Sequence, residues 1–494
     1  VDSLEKKIRQ EIGLIDSESL TLDEVSVCLQ LLAKEELKLK QASTEDLRAL
    51  CLNRSATFSF LTGPKVPFFT DEYLSRVGES LNEILINPSA PLPFLRVSFS
   101  SLTAEQITSR YAEAYRLGIV FTAESTTFQD ILHSLQNDAY DASTSQTLEL
   151  LGVRESWLIE KEGHLCARRA LIVDARGLVI DQVFETPVSL DAGWILHLQR
   201  KNESQTHQRI TKLFQKNHIP LINPYNTTVE ITESKYRTCL CWANHLKQPE
   251  SYMVTQGMAE SEIKRILPSN WHNQSIFLLP DKGTEGIGAG TLILDDKAYT
   301  KISRLSGDNA IILRESRGNV FFFDQDFPDT GYRPVVVRAN VFYADGLART
   351  ESGYLLASGS NQEAIASVSH GGQIYSLDKL ESSLYWKDSE GNYQPLQLKD
   401  KEISQIANIA ALGMSLINAG PGNKGLLLFA GIDFILEYDE ENGLTPVLLE
   451  INPRPSGLAH ARDWNEKSPR PLMVSKHLFE YAVSHQITSS REGI

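Results

Sequence analysis

Phe429-Ala430-Gly431-Ile432-Asp433-Phe434-Ile435-Leu436 is followed, past Asp439-Glu440-Glu441-Asn442-Gly443, by Val447-Leu448-Leu449-Glu450-Ile451-Asn452-Pro453-Arg454-Pro455. Asn-Gly accepts the positive φ of a hairpin turn, so Leu426–Tyr438 and Pro446–Asn452 are predicted to pair as antiparallel strands. Side chains alternate along a strand. Leu449 and Ile451 are therefore expected on one face, with Glu450, Asn452 and Arg454 on the other. Asp433 is a lone acid in an apolar run, and the hairpin can set it beside Glu450. Two carboxylates and an amide oxygen are hard ligands that suit Mg²⁺. An arginine two residues beyond can hold a phosphoryl group and its developing charge. The same residues could instead form an exposed Glu450–Arg454 ion pair at a strand end, and the hairpin alone leaves both readings open.

Upstream, Lys401–Ala419 carries Ile403, Ile406, Ile409, Ala410 and Leu416 at helical spacing. Asn319–Phe323 and Pro334–Tyr343 read as strands, the second with Arg338 inside an apolar run. A buried arginine needs a partner, and either phosphate or an internal salt bridge would serve. Ser275–Pro280 is a predicted strand that enters the glycine-rich stretch Gly283-Thr284-Glu285-Gly286-Ile287-Gly288-Ala289-Gly290. Glycines let a backbone approach phosphates, and unpaired N–H groups can point at them. Glu233–Leu246 and His207–Asn217 are predicted helices, and Pro220–Asn223 a strand. Ala170–Val173 and Leu178–Ile180 read as strands joined by a turn at Ala175-Arg176-Gly177. Ala104–Leu117 reads as a helix leading into a strand that starts at Gly118. Residues 1–56 and Asp71–Ile86 are expected to be helical, and Pro88, Pro91 and Pro93 mark a boundary.

In this order the segments resemble the ATP-grasp ligases, the group that contains D-alanine–D-alanine ligase and amino-acid ligases. Gly-Ile-Asp-Phe-Ile-Leu followed by Glu-Ile-Asn-Pro-Arg-Pro is similar to the family's metal-binding end. The resemblance implies that Asp433, Glu450 and Asn452 ligate Mg²⁺ and that Arg454 contacts phosphate or intermediate. Glu233-Ser234-Lys235 resembles the family's Asp-Lys motif, so Lys235 is expected on the ATP phosphates. Phe277–Gly288 resembles the strand and flexible loop that closes over the triphosphate, which implicates Lys282, Thr284, Glu285 and Gly286. Leu279 stands where the family usually has a lysine, and Lys282 is the nearby substitute. Phe321–Phe327 resembles the hinge strand that binds adenine, with Asp324 on the base or ribose. Arg338 joins Arg454 as an expected catalytic cation. Ser369-His370-Gly371-Gly372 resembles a late active-site loop. The turn after Arg454 supplies expected substrate contacts at Ser456, Gly457, His460 and Arg462. For the last two, a packed histidine and an exposed helical arginine are equally open.

The resemblance implies an α/β and α+β multidomain chain. A helical extension is expected over 1–95, a pre-ATP-grasp domain over 96–223, and two ATP-grasp subdomains over 224–318 and 319–494. With ATP and Mg²⁺, it implies a ligase that activates a carboxylate as an acyl phosphate and couples it to an amine, most plainly an amino acid or peptide. A kinase-like or thioester-forming relative, or a nucleotide-binding protein that has lost turnover, is the alternative. A formal net charge of -15 disfavours non-specific contact with nucleic acid or anionic membranes. No apolar run approaches the ~20 residues of a membrane span. Cys28, Cys51, Cys166, Cys239 and Cys241 are scattered and odd in number, which gives neither a disulfide framework nor a zinc site. With no signal-peptide pattern at Val1-Asp2-Ser3, this predicts a reducing, cytoplasmic setting. The expected partners are small carboxylates and amines, and a homodimer is compatible with them.

Overall fold

The computed structural model describes residues 110–485, apart from 112–113, 123–124, 143–146, 174–178, 198–202, 284–287, 306–309, 421–423, 456 and 465–475. The helices expected before residue 87 and the proline boundary lie outside the described residues. Among the described residues two compact units result: those within 110–136 and 147–221 form one, and 137–142 with those within 222–485 the other.

The first unit holds β1 (Tyr115–Phe121), α1 (Ser125–Ala142), β2 (Leu148–Val153), β3 (Leu158–Lys161), β4 (His164–Val173), β5 (Val179–Ser189), β6 (Ala192–His197), α2 (Glu203–Lys216) and β7 (Leu221–Ile222). Its seven-stranded sheet runs β3-β4-β2-β1-β6-β7, with β5 on β4. β1 pairs in parallel with both β2 and β6. A central parallel strand is covered on both faces, which is why Leu117 and Ile119 to Phe121 are all buried. The helix expected over Ala104–Leu117 does not persist: Tyr115–Leu117 already belong to β1. Tyr115 and Leu117 sit beside Leu148 and Leu150 of β2, and this pairing overrides helical periodicity.

The second unit holds α3 (Thr227–Thr232), α4 (Lys235–Trp242), β8 (Ser251–Val254), α5 (Glu260–Ile266), β9 (Ser275–Pro280), β10 (Gly290–Ile293), α6 (Asp296–Leu305), β11 (Ile311–Glu315) and β12 (Val320–Phe322). It continues through β13 (Arg333–Ala344), β14 (Leu347–Ala357), β15 (Gln373–Tyr375), β16 (Leu384–Lys387), β17 (Tyr393–Leu396), α7 (Asp400–Ala419), β18 (Phe429–Asp439), β19 (Gly443–Asn452), β20 (Arg462–Asp463) and α8 (Lys476–His485). A four-stranded antiparallel sheet runs β10-β9-β11-β8. Its core is closed by Ile263 of α5 and Ala298, Tyr299 and Ile302 of α6 against Val254, Ile276, Ile311 and Leu313. A nine-stranded sheet runs β15-β14-β13-β12-β16-β17, with β18 bridging β13 to β19 and β20 on β14. Ile406, Ala410, Met414 and Ile417 of α7 pack onto it with Ile432, Phe434, Leu448 and Ile451.

Three sequence expectations change here. The helix expected over Glu233–Leu246 is shorter, Lys235–Trp242, and Ser234 starts it: its Oγ accepts from the Arg237 N–H. The strand alternation of β19 is broken by a bulge. Asp433 faces Glu450 while Phe434 faces Leu448, so Leu449 is the extra residue. Leu448, not Leu449, therefore joins Ile451 in the core, and Leu449 is only half-buried. Finally, the chain leaves the four-stranded sheet at Glu315 and enters the larger one at Val320. The linking segment is Ser316–Asn319, and the aromatic run expected as the hinge lies inside the nine-stranded sheet.

Candidate active site

The hairpin of β18 and β19 places Asp433 opposite Glu450 and Gly431 opposite Asn452. On the other edge of β18, Arg338 of β13 is the register partner of Asp433, and Tyr354 of β14 is the partner of Arg338. One rung across four strands thus reads Tyr354, Arg338, Asp433, Glu450. Arg338 Nε donates to Asp433 Oδ1 at 2.6 Å and Nη2 to Oδ2 at 2.5 Å. The guanidinium also lies over the Tyr354 ring, 5.6 Å from its centroid. Of the two partners left open for Arg338, the structure shows the internal salt bridge.

A side chain at residue 431 would crowd this arrangement. A Cβ there would sit 3.1 Å from Arg338 Cδ and 3.0 Å from Pro455 Cβ. Asn452 Nδ2 donates to Asp433 Oδ2 at 3.2 Å.

Lys235, the first residue of α4, points its ammonium at the same place. Nζ donates to Gly283 O at 2.6 Å and lies 3.8 Å from Glu450 Oε2. The helix start is fixed by Asp281, whose Oδ1 accepts from Ser234 Oγ and from the Tyr236 N–H. The beginning of the glycine-rich stretch is thereby tied to Lys235. Lys282 is exposed at its edge, and Thr284, Glu285 and Gly286 lie outside the described residues.

Arg454 does not continue β19, which ends at Asn452. Its Nη2 pairs with Glu233 Oε1 at 3.2 Å, and both side chains are nearly buried. The pair links the hairpin's end to the residue just before the Ser234 cap. Gly457 opens a 3-10 turn, Leu458–His460, in the left-handed region, and a Cβ on it would meet Tyr354 Oη at 2.7 Å. This brings Gly457 to the Tyr354–Arg338 rung. His460 is exposed rather than packed. Arg462 is half-buried in β20 rather than helical, paired with Gly353. Ser456 lies outside the described residues.

Asp324 is not brought to this cluster. It is buried, lies 4.0 Å from the guanidinium of Arg333, and caps the Asp326 N–H. Arg333 precedes Arg338 by five strand residues, roughly 16 Å along β13. Arg333 and the Asp326 N–H are thus described partners of Asp324.

Sequence reading missed Asn223, Asp281, Glu233 and Arg314. Asn223 is fully buried and joins the start of β18 to the end of β19: Nδ2 donates to Phe429 O at 2.6 Å and to Pro453 O at 2.8 Å, while Oδ1 accepts from the Leu428 N–H. Its partners lie more than 200 positions away, so no local pattern shows them. Glu233 and Asp281 stood inside quoted motifs, and Ser-Lys at a helix start was the available signal for a capping acid.

The charges are not evenly shared. Burial raises the Glu450 pKa, but Lys235, then Arg338, Arg314 and the Asn452 amide outweigh it and hold the group below the usual glutamate range. Burial also raises Asp433. Glu450's charge adds to that rise against the pull of Arg338, so Asp433 stays above its usual range.

Among the described residues no group of three or more His, Cys, Asp and Glu could hold a metal. A cation here would rest on Asp433, Glu450 and Asn452. The donor chemistry fits Mg²⁺, which takes few protein oxygens and leaves positions for phosphate and water. Asp433 Oδ1 keeps a second lone pair beyond the one used by Arg338, and turning the Asn452 amide over would release Oδ2 and present the amide oxygen.

Among the described residues no helix is long and apolar enough to cross a membrane. The chain matches no protein-family model and no curated protein sequence. It is similar in structure to the D-alanine–D-alanine ligase from Coxiella burnetii at 11% identity and TM-score 0.44, over 76% of this chain and 95% of that one. It is also similar to the VanG D-Ala:D-Ser ligase from Enterococcus faecalis at 14% identity and TM-score 0.42, over 76% of this chain and 99% of that one. A third similar structure is the D-cycloserine synthetase DcsG, at 13% identity and TM-score 0.39, over 75% of this chain and 99% of that one.

Proposed function

We propose that this chain is an ATP-dependent, Mg²⁺-dependent ligase of the ATP-grasp type, which activates a carboxylate as an acyl phosphate and couples it to an amine. The observation that carries the reading is the register-matched Asp433–Glu450 pair with Asn452 beside it and Lys235 against it, at the mouth of the glycine-rich stretch.

Asp433, Glu450 and Asn452 would hold Mg²⁺, which when bound offsets charge on the phosphate oxygens. Lys235 and the backbone from Gly283 hold the triphosphate of the substrate ATP. The acceptor carboxylate oxygen attacks the γ-phosphorus, the bond to the β-phosphate oxygen breaks, and ADP leaves. The amine then attacks the acyl carbon, phosphate departs, and the amine loses a proton. Arg338 keeps Asp433 ionised and in place. Glu233 positions Arg454, whose guanidinium serves the transferring phosphoryl group. The turn carrying Ser456, Gly457, His460 and Arg462 contacts the acid substrate, with amino acids or peptides the favoured class. Residues 224–318 and 319–494 are the two subdomains of the site, and 96–223 the domain before them.

The test is an ADP-release screen of the full chain with Mg-ATP over amino acids and small acids, with mass spectrometry of the products. An amide formed with one ADP and one phosphate per turnover is expected. A stable phosphorylated acid or a thioester in its place would overturn amine ligation.

A further inference from the structure

The four-stranded sheet has one face covered by α5 and α6, built from Val254, Ile276, Ile311 and Leu313. Residues between these positions point to the opposite face. There the rung Phe277, Arg314, Ser251 lies beside the rung Leu279, Ile312, Met253. Arg314 is the charged member of these rungs, and it is only 5% exposed.

Its hydrogen-bond partners are neutral: Nε donates to Ser251 Oγ at 3.2 Å and Nη2 to Cys239 Sγ of α4 at 3.7 Å. The other buried arginines of the site are neutralised, Arg338 by Asp433 and Arg454 by Glu233. Among the described residues no carboxylate forms an ion pair with Arg314. A desolvated guanidinium that lacks an anion is costly. Cys239 follows Lys235 by four residues and so lies on the same face of α4, one turn further on. Arg314 and Lys235 therefore lie along one face of that helix.

We infer that Arg314 is an anion-holding residue of the nucleotide site, and that its missing counter-charge is the triphosphate of Mg-ATP. This rests on the ligase reading above. A planar guanidinium fork grips two phosphate oxygens at once, which an ammonium cannot do. The apolar neighbours Phe277, Leu279, Ile312 and Met253 lower the local dielectric and strengthen that grip. Ser251 and Cys239 orient the fork without neutralising it.

The alternative is a structural tie between α4 and β8, and stability separates the two. Arg314→Met in the full chain should leave the melting temperature of the nucleotide-free protein unchanged or raise it, since it removes an uncompensated buried charge. It should weaken Mg-ATP binding in calorimetry by at least roughly tenfold, the usual worth of a charged hydrogen bond. Adenosine, which has no phosphate, should bind as before. A structural tie predicts the reverse, a lower melting temperature with Mg-ATP affinity intact, and that result overturns the inference, as does wild-type behaviour in both measurements. If Arg314→Met does not fold, Arg314→Lys decides. It keeps the charge but loses the fork, so Mg-ATP should bind several-fold more weakly, and wild-type affinity counts against the assignment. A wild-type chain that binds no Mg-ATP removes the ligase reading and this inference together, whereas binding that is insensitive to Arg314 removes the inference alone.

Discussion

Asn223 uses its whole side chain to hold the two ends of the β18–β19 hairpin, and it does so with φ at +52°, which few non-glycine residues adopt. Removing it would leave the buried Phe429 and Pro453 carbonyls and the Leu428 N–H without that partner. Asn223→Ala should therefore cost about 2–4 kcal/mol in urea unfolding. A loss no larger than that of an exposed Asn→Ala control would show that the hairpin does not depend on it. Glu450 differs in kind, being half-buried beside a second carboxylate and three cations. Glu450→Gln keeps its shape and relieves repulsion with Asp433, so the fold should persist. It removes a charged metal ligand, and ADP release should fall by at least roughly a hundredfold. Near-normal ADP release from the folded variant would remove the metal assignment. The hairpin and its acids were legible in sequence from the Asn-Gly turn and the lone Asp433, but the turn's register alone would set Leu449 opposite Asp433, and the bulge is what brings Glu450 there. Asn223 was not legible, because its partners are met only after folding.

At the level of elements, the expected hinge strand and the observed crossing between sheets at Ser316–Asn319 fall at different places. The aromatic run does contain a strand, Val320–Phe322, yet the crossing between sheets lies just before it. Ser316, Gly318 and Asn319 were the available turn signal for that crossing. The linker is clamped to β18. Arg317 donates to both oxygens of Glu437 at 2.7 Å, and Asn319 exchanges hydrogen bonds with the Tyr438 backbone. Burial raises the Glu437 pKa, but Arg317 and Lys247 outweigh it and hold the group below its usual range. A depressed folded pKa contributes stability above the unfolded pKa of ~4.5, lost as pH falls through the folded value. Glu437→Gln should accordingly lower the urea midpoint near about pH 7 and converge on the wild type near about pH 3. A gap between the two proteins that does not change with pH would mean the clamp is not electrostatic. The same scale explains the later start of α4: the Ser234 hydroxyl caps a helix that begins at Lys235, two residues after the expected start at Glu233.

Across the molecule, the strand-rich half was read more fully than the first unit, since β18 and β19 announce themselves locally while β1 is defined by partners on both edges. A formal charge of -15 described the chain's surface and concealed its site. Lys235, Arg314, Arg338 and Arg454 converge from α4, β11, β13 and the end of β19, and every one lies within 222–488. A nucleotide held by Lys235, Arg314 and Arg454 would touch both sheets of that unit. It can bind only when both are folded, so linkage stabilises the native state by RT ln(1 + [L]/Kd), or about 2.7 kcal/mol at a hundred times Kd. The amides that exchange only on full opening are expected along β13, β14, β18 and β19, where the ladders are longest. With Mg-ATP at that concentration their hydrogen exchange should slow by roughly a hundredfold. The slowing should appear in the nine-stranded sheet and in β9 and β11 alike, and chelating the metal should abolish it. Protection confined to one sheet would mean the ligand bridges nothing, and protection that survives chelation would mean the two carboxylates of the hairpin hold no cation for it.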